Sequence, residues 1–338
     1  MKNFRTLSLS LIVALVLSLA ASGVNAQSKI LRVDATHPGG SPAILLTVLG
    51  KIFPREVGVS LQINTGQTLT RSVLKFGTDD LDMIHFVPQI SPWLKNGQRM
   101  YKKLKKKANK AYNSASSIFG FPASAIHIIA WADSGIKTLA DIKGKRVFMG
   151  PPAGGFYTQV SSYFNVVTGY TPNKDFDAIR LPWAQGVQAM LDGQIDVWLA
   201  STAVGSAIIN QFGAKKKFVL LGAGKAADSE KWQKVMIEQL LNENATIPAG
   251  IYTNQVGGNV RTTAANSFIL VRKNLDTDLV YKMVKATWEN LDEIHKSAAV
   301  LKTLSKANPL AGVNMPLHPG AVKYYKEIGF KIPARLIP

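Results

Sequence analysis

The chain has 338 residues, no cysteine, and 40 Lys and Arg against 21 Asp and Glu, which gives a formal net charge of +19. Its length suits two medium-sized domains, and 46% hydrophobic residues allow a sizeable core, which excludes general disorder. The lack of cysteine excludes a disulfide scaffold, thiolate zinc sites, iron–sulfur clusters and cysteine nucleophiles. The positive charge alone suggests nucleic acid, an anionic membrane surface or anionic small molecules as partners.

Residues 1–26 have the pattern of a secretory signal peptide. Lys2 and Arg5 form a positive end, an apolar stretch follows, and small residues precede Gln27, which predicts cleavage after Ala26. A permanent membrane anchor is the alternative, but the apolar stretch is near the lower length limit for spanning. We therefore expect an exported, periplasmic protein with no stable membrane insertion after cleavage. Export disfavours cytosolic DNA binding and intracellular NAD or ATP chemistry.

The remainder of the chain alternates between strand-like and helix-like segments. Strands are predicted at Ile30–Ala35, Val57–Asn64, Asp82–Val87, Ala125–Trp131, Val147–Gly150, Ala178–Leu181, Ile195–Ala200 and Phe218–Leu221. Helices are predicted from Ser41, with Ser41 as cap and Pro42 in the first position, then at Ser161–Val167, Gln185–Asp192 and Ala203–Phe212, and through most of the chain after Asp276. This alternation predicts an α/β fold with largely parallel sheets.

Two loops stand where a strand gives way to a helix, which is where open α/β sheets bind ligands. These loops are His37–Ser41 and the glycine-rich segment Gly150–Tyr157. Glycine permits close backbone approach, and the free N–H groups of a helix start favour an anion. A simple tight turn is the alternative for each loop. Neither matches a nucleotide-binding fingerprint.

Catalytic and metal-binding motifs are missing from the sequence. It contains no HExxH or GxSxG motif, and its five histidines have no metal-ligand spacing, so no metal or cofactor is expected. His127 lies in an apolar strand and is interpreted as a core or hinge residue, whereas His85 is equally compatible with a cleft and a core. A hydrolase stays open, because catalytic triads are recognised by geometry rather than by order in the sequence.

A run of lysines is the most concentrated charge in the chain. Aromatic residues Tyr101 and Tyr112 flank it, but no nucleic-acid motif accompanies it. We interpret the run as a solvated helix face or loop, with a docking surface for a partner or an anionic lipid as the weaker alternative. Its members are Lys102, Lys103, Lys105, Lys106, Lys107 and Lys110.

Several segments together resemble the TAXI family of extracytoplasmic solute receptors, the binding components of TRAP-type transporters. The most specific is MPLHPGAVKYYKEIGF at 315–330, which is similar to the family's Pro-x-His-Pro-Gly-Ala segment followed by a Tyr-Tyr-x-Glu-x-Gly helix. LADIKGKRV at 139–147 and AMLDGQIDVW at 189–198 also match, in family order. The departures lie in the ligand-facing loops: HPGGSPAILL lacks the family's tyrosines, and AGGF replaces its Gly-Ser-Gly-Thr loop.

The resemblance implies a two-lobed, hinged periplasmic binding protein of type II-like α/β fold. Lobe I would comprise residues 27–123 and 268–338, lobe II would comprise residues 124–267, and the chain would cross between them near Ala123–Trp131 and Tyr252–Ser267. It implies no catalysis, but capture of a small organic anion by cleft closure. The ligand class is a carboxylate, including glutamate-like and keto acids. The implied partner is a TRAP membrane permease, and we expect a monomer.

The candidate ligand-binding residues come from loops of both lobes. They would provide neutral hydrogen-bond donors and, at Trp183, a stacking surface, with ordinary packing between the lobes as the alternative for Trp183. The candidates are Thr36, Gly40, Ser41, Gln67, Thr68, His85, Gln89, Gly154, Gly155, Phe156, Tyr157, Trp183, Ser201 and Thr202. A binding protein for another importer, a sensor or an exported hydrolase remain the alternative functions.

Overall fold

The computed structural model describes residues 29–36, 39–152 and 154–338. The predicted signal peptide with its cleavage point lies outside the described residues, as do His37 and Pro38 of the first predicted loop and Ala153 of the second. The strands of the described ranges join in one mixed sheet.

The first part of the chain alternates strand and helix, as the hydrophobic pattern predicts. Its elements are β1 (Lys29–Asp34), α1 (Ser41–Glu56), β2 (Val59–Asn64), α2 (Leu69–Ser72), β3 (Met83–Phe86), α3 (Ile90–Asn96) and α4 (Lys105–Asn113), with 3₁₀ turns at Val73–Thr78 and Arg99–Leu104. Strand β1 lies between β2 and β3 and runs parallel to both. We call β1, β2 and β3 the first strand group.

The middle of the chain builds a second set of parallel strands. Its elements are β5 (Arg146–Phe148), α5 (Phe156–Thr168), β6 (Asp177–Ile179), α6 (Trp183–Leu191), β7 (Val197–Thr202), α7 (Ala207–Lys215), β8 (Phe218–Leu220), α8 (Glu230–Trp232), a π-helical stretch at Gln233–Gln239, β9 (Glu243–Ile247) and β10 (Gln255–Val256). Strand β5 is parallel to β6 and β7. We call β5, β6, β7 and β8 the second strand group.

Two long antiparallel strands connect the two groups. These are β4 (Ala115–Trp131) and β11 (Val260–Arg272). Strand β11 pairs with β3 of the first group, whereas β4 pairs with β7 and β8 of the second. Where the pairing changes over, Asn266 is opposite Pro122 and Ala265 is opposite Ser124, so Ala123 is an extra residue. Such a bulge bends the strands.

The C-terminal segment returns to the first strand group. It forms α9 (Thr277–Glu289), α10 (Leu291–Ser297) and α11 (Pro319–Glu327), with 3₁₀ turns at Ala299–Thr303 and Ala334–Leu336. The side chain of His318 caps α11 by accepting from the N–H of Gly320. Tyr325 donates its hydroxyl to the carbonyl of Ile118 in β4 (3.0 Å). The LHPGA motif therefore fixes the start of this helix against the sheet.

The structure corrects several predicted elements. The sheet is mixed rather than largely parallel, because β4 and β11 pair antiparallel with their neighbours. Strand β4 begins at Ala115, ten residues before its predicted start, and α7 begins at Ala207 instead of Ala203. Ser41 is not the helix cap: Gly40 occupies that position, and the buried Ser41 hydroxyl donates to the carbonyl of Ala123 (2.5 Å).

No helix in the described part of the chain is long and apolar enough to cross a membrane.

Candidate functional site

A cavity of about 150 Å³ lies between the two strand groups. All of the predicted ligand-binding residues except Tyr157 line it. They are Thr36, Gly40, Ser41, Gln67, Thr68, His85, Gln89, Gly154, Gly155, Phe156, Trp183, Ser201 and Thr202. An apolar cavity of this volume holds a molecule the size of benzene, so the space suits a ligand of a few heavy atoms. Their role in binding stays a prediction.

The cavity lies at the ends of strands and the beginnings of helices. Thr36 follows β1, His85 belongs to β3, and Ser201 and Thr202 end β7. Helices α1, α5 and α6 begin at the cavity wall, where Gly40, Gly155 and Trp183 line it. The first N–H groups of a helix have no partner within that helix and carry a partial positive charge. The wall therefore presents backbone donors from several directions.

His85 faces this cavity from a buried position between two hydroxyl groups. Its Nε2 lies 3.1 Å from Oγ1 of Thr36, and its Nδ1 lies 3.3 Å from Oγ of Ser267. The Ser267 hydroxyl donates to the carbonyl of Phe86 (3.0 Å), so it accepts from Nδ1–H of His85. Nε2 is then the acceptor that faces Thr36. The structure places His85 at the cavity wall, with its ring held between Thr36 after β1 and Ser267 of β11.

Three side-chain amides meet beside the cavity. Nε2 of Gln89 (2.7 Å) and Nε2 of Gln159 (3.1 Å) both donate to Oδ1 of Asn242. Gln89 precedes α3, Gln159 lies on α5, and Asn242 precedes β9, so the cluster joins segments of both strand groups. Within the described residues, Oε1 of Gln89 has no hydrogen-bond partner although the residue is only 6% exposed.

Thr202 carries a second unpaired polar atom at the cavity wall. It is 1% exposed, and its hydroxyl has no partner in the described ranges. A buried polar group without a hydrogen bond costs about 1–3 kcal/mol, so native proteins rarely leave one unexplained. Gln89 and Thr202 both line the cavity.

Aromatic rings form one wall of the cavity. The ring of Trp183 lies 5.1 Å from that of Phe156 and 5.8 Å from that of Phe148, both in edge-on geometry. Trp93 contributes from the first strand group. Trp183 therefore lines the cavity while it packs against two rings of its own proposed lobe, and its role as a stacking surface stays a prediction.

Tyr157 does not line the cavity, unlike its neighbour Phe156. The guanidinium carbon of Arg180 lies over the Tyr157 ring, 4.1 Å from the ring centroid. Arg180 also donates from Nε to the carbonyl of Pro151 (2.9 Å). Successive helix residues point about 100° apart, so a side chain next to a lining residue faces elsewhere. Tyr157 is thus the one predicted ligand-binding residue outside this lining, and its role in binding stays a prediction.

The described lining contains no Lys, Arg, Asp or Glu. Its polar groups are hydroxyls, amides, one imidazole and backbone N–H groups, so any charge on a ligand would be stabilised by dipoles. No group of three or more His, Cys, Asp or Glu in the described ranges is placed to hold a metal ion.

Several lining residues were not predicted as ligand contacts. Ala123 and Ser124 of β4 and Ala265, Asn266 and Ser267 of β11 line the cavity at the strand bulge. These positions had been predicted only as crossing segments. The available signal was the polar pair Asn-Ser inside the otherwise apolar run of β11. The rest of the newly found lining consists of Pro42, Leu69, Val87, Ile90, Trp93, Pro151, Gln159 and Leu240.

His127 lies in β4 as a fully buried residue, away from the described cavity lining. Its Nδ1 lies 3.0 Å from the carbonyl of Ala125, and its Nε2 lies 2.7 Å from the hydroxyl of Tyr252. The Tyr252 oxygen accepts in turn from the N–H of Gly205 (2.8 Å). Burial lowers the pKa of His127 to about 4. His127 is thus a neutral core residue that ties a crossing strand to two loops.

Comparison with known proteins places this fold in a family. A model of the NMT1-like family matches residues 95–329, most of the chain, so the chain belongs to the NMT1-like family. A solved structure described as a periplasmic transporter is 16% identical, covers 90% of this chain and 94% of its own, and superposes with a TM-score of 0.53. The chain therefore has a mixed α/β fold that matches the type II periplasmic binding proteins.

Two further structures are less similar. PhnD1 from Prochlorococcus marinus, in complex with methylphosphonate, is 11% identical over 90% of this chain and 99% of its own, with a TM-score of 0.47. DctP7 of Bordetella pertussis, an extracytoplasmic solute receptor binding pyroglutamic acid, is 12% identical over 89% and 92%, with a TM-score of 0.45.

Proposed function

We propose that this member of the NMT1-like family is the solute-binding receptor of a TRAP-type transporter, of the TAXI kind. It captures a small organic anion between its lobes and delivers it to a membrane permease. The observation that carries the proposal is the cavity itself, where strand ends and three helix beginnings from both strand groups meet around unpaired polar atoms. The signal-peptide pattern supports a periplasmic location, and the LHPGA and Tyr-Tyr segments support the TAXI assignment.

The proposed lobes are residues 27–123 with 268–338, and residues 124–267. The strand pairing supports this division, because β11 pairs with β9 up to Ala264 and with β3 from Phe268, while β4 pairs with β7 from Ala125. The cavity also lies at this change-over. A ligand there would contact both lobes, and its binding energy would favour the closed arrangement over the open one.

The proposed ligand is a carboxylate, including glutamate-like and keto acids, held by neutral donors. Helix beginnings and hydroxyls stabilise an anion without a counter-charge, since their dipoles point at it in a site that excludes water. The absence of charged side chains from the described lining fits such a site. The aromatic wall at Phe156 and Trp183 would contact the apolar part of the ligand.

A thermal-shift screen of small organic acids, sugars and amines tests this proposal. A ligand that binds only the folded protein stabilises it by about 2.7 kcal/mol at 100 times its dissociation constant. We expect stabilisation by one or more carboxylates. Stabilisation by neutral sugars or cations alone would contradict the ligand class, whereas a carboxylate that binds outside the cavity would contradict the site.

A pair of threonine variants distinguishes these outcomes. Thr202→Val removes the unpaired hydroxyl at the cavity wall with little change of shape, so we expect at least tenfold weaker binding of the carboxylate found in the screen. Thr263→Val is the matched control, because its buried hydroxyl is also unpaired but lies outside the lining. Equal affinities for the two variants would show that the ligand does not reach Thr202.

An exported hydrolase is the enzymatic alternative, and the Thr36–His85 contact is the observation that favours it. The described lining offers no carboxylate to stabilise an imidazolium, and Nδ1 of His85 instead faces the Ser267 hydroxyl. Ester turnover that is lost in His85→Asn would establish this alternative. A binding protein for another importer, or a sensor, would share the cavity and differ in its partner, so a neighbouring gene for a large permease distinguishes them.

A further inference from the structure

A long stretch of the chain carries only positive charge. Between Asp82 and Asp133 there is no Asp or Glu, while the same stretch holds eight Lys and Arg residues. We call the exposed side chains of these residues the basic face. They are Lys95, Arg99, Lys102, Lys103, Lys105, Lys106, Lys107 and Lys110.

The basic face is an ordered surface of the fold. Tyr101 is buried and donates its hydroxyl to the carbonyl of Thr70 (3.0 Å), which anchors the 3₁₀ turn Arg99–Leu104. In α4, Ala108 and Ala111 are buried. The four lysines of α4 are all exposed, as is Leu104 beside them (38%).

These cations have no anionic partner in the described structure. Ion pairs elsewhere on the surface join Arg55 to Glu293 (2.9 Å) and Lys323 to Asp278 (2.7 Å). No residue of the basic face lies within 4.0 Å of a carboxylate in the described ranges. Clustered like charges repel one another, so an external anionic surface would relieve a cost that the fold itself leaves uncompensated.

We propose that the basic face docks on an anionic lipid bilayer. Seven of its eight cations are lysines, and protein–protein interfaces are depleted in lysine and enriched in arginine and aromatic residues. Lysines act as mobile point charges that suit a fluid layer of headgroups, where each contributes about 1 kcal/mol near the surface. The exposed Leu104 adds an apolar contact at the centre.

Docking in this orientation brings the ligand cavity close to the membrane. Arg99 lies over the ring of Trp93 (5.9 Å), and Trp93 lines the cavity. Thr70, to which Tyr101 is anchored, directly follows the lining residue Leu69. The basic face would confine the receptor to the plane in which a permease resides. This inference does not depend on the identity of the ligand.

Co-sedimentation of the full mature chain with lipid vesicles tests this inference. We expect binding to vesicles of 30% phosphatidylglycerol in phosphatidylcholine, none to pure phosphatidylcholine, and a steep loss of binding between 0.05 and 0.3 M NaCl. The variant with Gln at four positions of the basic face should partition at least about tenfold less at 0.1 M salt. Those positions are Lys103, Lys106, Lys107 and Lys110.

A matched control replaces four exposed lysines outside the basic face with Gln, namely Lys234, Lys302, Lys306 and Lys331. The control has the same net charge and should keep most of the vesicle binding. Equal losses in both variants would show that net charge, and not this face, binds lipid. No binding to anionic vesicles, or salt-resistant retention on duplex DNA instead, would also overturn the inference. Because the assay contains no ligand of the cavity, a negative result would overturn only the docking inference and would leave the proposed function unaffected.

Discussion

His127 should make the stability of this protein fall as the solution becomes acidic. Ala125 offers only a carbonyl acceptor, so Nδ1 of His127 carries the hydrogen, and Nε2 accepts from the hydroxyl of Tyr252. The Tyr252 oxygen is also engaged by the N–H of Gly205. A second proton on His127 would turn Nε2 into a donor and displace the Tyr252 hydroxyl hydrogen. It would also place a charge in the core without a counter-ion.

The size of the effect follows from the pKa difference between the two states. Burial lowers the pKa of His127 from 6.5 to about 4. Because the folded state has the lower pKa, this contribution to stability is complete above about pH 6.5 and is lost as pH falls toward 4. Near pH 5 most unfolded chains carry the proton and folded chains do not. The difference of roughly 1.5 pH units corresponds to about 2 kcal/mol.

Urea unfolding at pH 7 and pH 5 measures this loss, with His127→Gln as the comparison. We expect the variant to be less stable than the natural chain at both pH values. From pH 7 to pH 5, however, the free energy of unfolding of the natural chain should fall by about 2 kcal/mol more than that of the variant. NMR titration of the His127 ring gives an independent check, because the ring should remain neutral at pH 5. Parallel falls in the two proteins, or a ring that titrates near 6.5, would refute the reasoning.

Two further predictions concern close packing at β4 and a buried carboxylate beside β3. A methyl group at Gly120 would overlap the backbone oxygen of Ala311, so Gly120→Ala should destabilise the protein by about 3 kcal/mol. The control Gly258→Ala, whose methyl group meets nothing within 4 Å, should change stability by less than about 0.5 kcal/mol. Similar melting temperatures for the two variants would contradict this prediction. The buried carboxylate of Asp82 accepts a hydrogen bond from Nε of Arg32 (2.9 Å). Asp82→Asn should lower the free energy of unfolding by about 2 kcal/mol, after allowance for the half-exposed guanidinium. Urea unfolding at pH 7 measures this loss, and a loss below about 0.5 kcal/mol would contradict the prediction.

The sequence was sufficient for the features that depend on short-range pattern. Alternating strands and helices follow from hydrophobic periodicity, and the loop residues Thr36, Gly154 and Thr202 follow from the rule that ligands bind beyond strand ends. The lysine run lies on an exposed face, as its charge density predicts. These features need only local information, because each is decided within one strand, loop or helix.

The features that the sequence did not reveal depend on long-range pairing or on exact rotation. The bulge at Ala123 arises from the register between strands more than a hundred residues apart. The polar pair Asn266-Ser267 stands out in its apolar surroundings, but the sequence does not show that this pair reaches the cavity. Tyr157 lies outside the cavity lining because one residue of helical rotation separates it from Phe156 and turns its ring toward Arg180. Asn242 was missed because it acts through Gln89 and Gln159, which other segments bring to it.

The positive charge and the uncharged cavity have complementary roles in the proposed receptor. Residues 1–26 carry Lys2, Arg5 and no acidic residue, so removal of this segment leaves a net charge of +17. A field of that sign attracts anions from a distance and raises their rate of arrival, but it is screened within about 10 Å at 0.1 M salt. Inside the cavity, a buried ion pair would cost about 3–5 kcal/mol to break and would slow release. In the proposed receptor, neutral donors would hold the anion in the closed state and would let it leave once the lobes separate, as hand-over of the ligand requires.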